Sequence, residues 1–139
     1  MAGRNDVILR RRRLPEHLRE PFEAFRAVIE PLERGKAALP EAMPTTRLPG
    51  RPLAEVLLEF EEGLRAASAA MDAWRTPEVE AEWQGCSAAL REALAMTERL
   101  RVEAPDPGGF EGLVGLLGDL LAPLEAFEQA ADRFRALRS

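Results

Sequence analysis

"GLRAASAAMDAWRTPEVEAEWQGCSAAL", residues 63–90, contains the turn on which the fold depends. Upstream, Leu64, Ala67, Met71 and Trp74 recur at the three-to-four spacing that gathers apolar side chains on one face of a helix; downstream, Val79, Trp83, Cys86 and Leu90 do the same. Between them stands Thr76-Pro77. A threonine can cap the free N–H groups at a helix start, and proline suits the first turn, where its missing N–H would have no partner. Glu78 and Glu80 then fall near the positive end of the new helix dipole. So short a connection makes the two helices antiparallel neighbours.

The pattern continues in both directions. Leu18, Phe22, Phe25, Ile29 and Leu32 form an earlier stripe; Pro31 inside it predicts a kink, and Pro21 is expected to open the main helix. Pro40, Pro44, Pro49, Gly50 and Pro52 mark a long loop, which by its length allows either a simple turn or a crossover along the bundle. After the third helix, Asp106-Pro107 repeats the cap-plus-proline signal, and Phe110, Leu113, Leu117, Leu120, Leu124, Phe127, Ala131 and Phe134 form the fourth stripe. No strand-like alternation occurs. The expectation is an all-α antiparallel four-helix bundle with helices near 15–39, 52–75, 77–102 and 108–137, preceded by a basic arm, 1–13, expected to be disordered.

With 139 residues, 46% of them hydrophobic and 31% charged, the chain can fill one core. Its 18 arginines against one lysine point to a GC-rich bacterial genome, which discounts arginine content as a sign of function. The charge distribution says more. Residues 1–13 carry a net +4 and the other 126 a net −9, so Arg10, Arg11, Arg12 and Arg13 are the candidate contacts for an anion or a nucleic acid. The lone Cys86 has no disulfide partner, no apolar run is long enough to span a bilayer, and no signal peptide is recognised, so a cytoplasmic protein is expected.

Within the fourth helix, Gly109, Gly112, Gly115 and Gly118 fall three residues apart. No strand precedes them and no lysine accompanies them, as a phosphate-binding loop would need. Each glycine inside a helix costs about 0.8–1 kcal/mol relative to alanine. At about 100° per residue the apolar arc centres opposite Gly115, so Gly112, Gly115 and Gly118 trace a bare groove down the back of the helix. With Val114, Leu116 and Leu121, which widen the apolar arc, they are the candidate interface for a second subunit or partner. Trp74 and Trp83, on either side of the turn, are the candidate ligand or partner end.

Catalytic and metal-binding patterns are not found. His17 is the only histidine, which leaves no Glu-x-x-His pairs for a di-iron site and no base beside Cys86. The glutamates around Glu59, Glu61 and Glu62 are read as a solvated face, with Glu61 and Arg65 spaced as an i,i+4 pair. Trp83-Gln84-Gly85 is similar to the tripeptide that names the WXG family of small helical secretion substrates. The match covers three residues, in a helix and not in a hairpin turn, and the chain has no tyrosine for that family's C-terminal signal, so the resemblance is not adopted. No cofactor is expected. The functional expectation is a non-enzymatic interaction module that self-associates through helix four; the alternatives are a bundle binding an apolar small molecule near the tryptophans and an anion-binding regulator acting through the arm.

Overall fold

The computed structural model describes residues 13–138, and all of their regular structure is helical. Helix α1 (Glu16–Ala38) runs into a 3-10 turn at Leu39–Ala42. Helix α2 (Leu53–Ala69) ends in a 3-10 turn at Met71–Trp74, and a further turn at Pro77–Val79 opens α3 (Glu80–Glu103). The fourth helix is α4 (Phe110–Leu121), a 3-10 turn at Ala122–Glu125, and α5 (Ala126–Ala136). The all-α expectation holds, and the helix count and packing are those of a four-helix bundle.

Four local expectations need correction. Pro21 lies inside α1, which begins at Glu16; so close to the start it removes one hydrogen bond, to the His17 carbonyl, and the helix tolerates that. Thr76 precedes the 3-10 turn but makes no capping hydrogen bond, and its buried hydroxyl has no partner. Asp106 caps no helix. Its carboxylate accepts the Gly108 N–H at 2.9 Å, and α4 starts later, at Phe110. The fourth helix is interrupted because Pro123 cannot donate to the preceding turn, which tightens locally to 3-10 geometry.

Helices α1 and α2 pack side by side, so the long loop is a simple connection between neighbours. It closes on its own base, where the Arg51 N–H donates to the Glu41 carbonyl at 2.8 Å. Close packing comes from two glycines. A Cβ on Gly63 would lie 2.6 Å from the Pro31 carbonyl oxygen, and one on Gly35 would lie 3.2 Å from that of Phe60. Across the bundle, α1 meets α5 through aromatic rings: Phe25 packs on Trp74, Phe127 and Phe134 with centroids 4.9, 6.4 and 5.2 Å apart, and Phe22 packs on Phe134 at 5.3 Å. Helix α5 also packs against α3, more extensively than α4 does, and α4 makes its largest set of contacts with the turn that follows it. The bundle is therefore most fully packed at the tryptophan end and more open beside α4.

Candidate functional site

The open region begins where α3 stops. Ala104 takes a left-handed conformation (φ 44°) and its N–H donates to the Leu100 carbonyl at 2.9 Å, closing α3. Gly108 and Gly109 follow at φ 80° and 92°, a region open to glycine at little cost. The chain then doubles back so tightly that the Pro107 carbonyl lies over Gly112, where a Cβ would fall 1.5 Å from its oxygen.

That fold-back leaves a groove of about 450 Å³ between the end of α3 and α4. Met96, Leu100 and Leu116 supply apolar side chains, Gly112 and Gly115 a bare wall, and Arg99, Asp106 and Asp119 the charges. On the face of α4 turned away from that groove, Phe110 and Val114 are 60% and 47% exposed. Apolar side chains this large left in water mark a contact surface when they cluster.

The expected interface residues are divided among different surroundings. The structure corrects the picture of one continuous glycine groove. Gly112 and Gly115 both border the α3/α4 groove, Gly112 where the Pro107 carbonyl closes over it, and Gly118 borders a second groove of about 280 Å³ with Lys36, Leu121 and Leu124. A Cβ at Gly115 or Gly118 would meet nothing within 4 Å. Val114 is exposed, while Leu116 and Leu121 are half-buried.

Both tryptophans fall at one end of the bundle, as their spacing implies, and both are buried. Trp74 lies among phenylalanines and donates its indole N–H to the Met71 sulfur at 3.3 Å; Trp83 donates to the Met71 carbonyl at 2.9 Å, with the Arg75 guanidinium 4.0 Å from its ring centroid. At the same end His17 pairs with Glu78, whose carboxyl is lowered by that hydrogen bond. Arg13 is exposed at the first described position, and Arg10, Arg11 and Arg12 lie outside the described residues.

Glu61 is not part of a solvated face. It is 4% exposed, between α2 and α3, where Arg65 donates to it at 2.8 Å and Arg101 from α3 holds its other oxygen; Arg65 also reaches Glu98 at 2.5 Å. Burial pushes its carboxyl up, but the two guanidiniums outweigh that and leave it below the ordinary range. The sequence carried the signal, since Glu61 falls between Leu57 and Leu64 at core spacing. The Cys86 thiol is raised to about 12 by burial and by Glu82, and it points at the Ala126 carbonyl 3.5 Å away. Among the described residues no helix is long and apolar enough to cross a membrane, and no cluster of three or more His, Cys, Asp or Glu is placed to hold a metal. The chain matches no protein-family model, no curated protein and no solved structure.

Proposed function

We propose that the protein is a non-enzymatic helical interaction module that self-associates through α4, in a reducing, cytoplasmic setting suited to its single buried thiol. The observation that carries this is the apolar surface α4 leaves uncovered on either side of its buried Leu113, Leu117 and Leu120: Phe110 and Val114 exposed on one face, and the groove against α3 on the other. Covering them would remove apolar area from water, the usual driving force for association. The carboxylate best protected from solvent, Glu61, is committed to two arginines and is not free to move a proton.

The test is solution mass by light scattering over a hundredfold range of concentration, for the native chain and for Gly115→Glu. Open space around Gly115 means the new side chain leaves the monomer fold intact, while its charge blocks an apolar contact. The native chain is expected to form a dimer and the variant a monomer with unchanged helicity. A native chain that stays monomeric throughout removes the reading.

A further inference from the structure

We propose that the α3/α4 groove receives the Val7-Ile8-Leu9 segment, and the arginines after it, from a second copy of the chain, so that two copies exchange N-terminal arms. This rests on the self-association reading and adds the occupant of the surface.

Charge complementarity is the first argument. Asp106 and Asp119 stand at the groove, and neither pairs with an arginine or lysine among the described residues. Helix α4 itself carries Glu111 and Asp119 and no basic residue. Ahead of the described residues, Val7-Ile8-Leu9 is followed directly by Arg10, Arg11 and Arg12. An apolar triplet with a basic flank suits an apolar floor of Met96, Leu100 and Leu116 whose rim carries two carboxylates, Asp106 and Asp119, against the single guanidinium of Arg99. Such a pairing has both a hydrophobic anchor and long-range attraction.

Reach decides between the chain's own arm and another's. The pairing of His17 with Glu78 fixes the start of α1 at the same end of the bundle as the start of α3. Met96 lies sixteen residues beyond Glu80, about 24 Å up the axis at 1.5 Å per residue. From Arg13 a fully extended chain, at about 3.3 Å per residue, brings Leu9 only about 13 Å and Val7 about 20 Å. The triplet falls short of the groove in its own copy. Two copies lying antiparallel about a two-fold axis set each arm beside the other's groove, and the exchange closes with both sites filled.

The test uses full-length chains with reversed charge. One variant carries Arg10→Glu, Arg11→Glu and Arg12→Glu; the other carries Asp106→Arg and Asp119→Arg. Each alone is expected to associate at least tenfold more weakly than the native chain in sedimentation velocity. Mixed, they are expected to recover association, because the native arm meets the native groove and the reversed arm meets the reversed groove, and rising salt should weaken native and mixed dimers alike. If the arm variant dimerises as tightly as the native chain, the arm is not the occupant, while self-association through α4 stands. Two weak variants with no recovery on mixing also overturn the exchange. A native chain that is monomeric at every concentration overturns both proposals.

Discussion

A glycine in a helix is a loss or a necessity according to what its missing methyl would touch, and this chain holds both kinds. Gly63 faces the Pro31 carbonyl at a distance no Cβ can share, so Gly63→Ala forces α1 and α2 apart. Overpacking of this sort costs about 1–3 kcal/mol. Gly115 faces open space, and Gly115→Ala, studied at concentrations low enough to keep the chain monomeric, should gain about 1 kcal/mol from helix propensity. Urea denaturation of the two variants reads both signs. Equal midpoints would mean that the close α1/α2 crossing does not exist. The distinction was partly legible in the sequence. Gly63 continues the Val56 and Phe60 row and Gly35 the Val28 and Leu32 row, at core spacing, whereas Gly115 lies opposite its helix's apolar arc. The regular spacing of the fourth-helix glycines drew attention to them, but the glycines that set backbone separation are the pair on the apolar rows.

At the scale of elements, apolar periodicity was enough to place the helices, because each stripe buries most of the residues it predicts: Leu18, Phe25 and Leu32 in α1, Phe60 and Leu64 in α2, Trp83, Cys86 and Leu90 in α3, Leu117, Leu120, Leu124 and Phe134 in the fourth; Phe110, expected to head the fourth stripe, is instead exposed at the start of α4. What periodicity does not carry is how far each helix is covered by its neighbours. Pro123 breaks the fourth helix, α5 completes the core with its phenylalanines, and α4 is left with Leu113, Leu117 and Leu120 as its buried side chains. The candidate groove was likewise out of reach of spacing alone, since it depends on the left-handed Ala104 and on the fold-back of Pro107 over Gly112. A glycine-rich helix held on one side should open without unfolding the rest. In hydrogen exchange on dilute protein, the amides of α4 are expected to show opening free energies about 2 kcal/mol or more below those of α1 and α2. Raising the concentration should protect α4 selectively as association covers it. Uniform protection across all the helices would show α4 to be as firmly held as the core.

Across the whole molecule, the ion pairs tie together elements that the apolar core alone leaves free to slide. Arg51 joins the long loop to Glu41 and Glu59, Arg101 joins α3 to Glu61 on α2, and His17 joins α1 to Glu78 before α3. None of these was visible in the sequence, where the local Glu61–Arg65 spacing was the pair that could be read; partners on different elements meet only once the helices and the loop have docked. The carboxyls of Glu59, Glu61, Glu78 and Glu80 are all lowered, in Glu59, Glu78 and Glu80 chiefly by the hydrogen bond from the partner side chain. A carboxyl whose folded pKa lies below its unfolded value stabilises the fold at pH above the unfolded value, about 4.3 for glutamate, and that contribution is lost as pH falls through the folded pKa. Acid should therefore loosen the bundle below about pH 4, helped by the mounting repulsion among 19 basic side chains as their acidic partners are neutralised. Glu61 contributes most per group because it is the one of the four that is buried. Glu61→Gln removes a hydrogen-bonded charge worth roughly 1–3 kcal/mol at neutral pH and should flatten the acid limb of the stability curve. Thermal midpoints measured from pH 7 to pH 3 for the native chain and the variant are expected to converge as pH falls. A gap that stays constant over that range would assign the loss to packing around residue 61 and not to its charge.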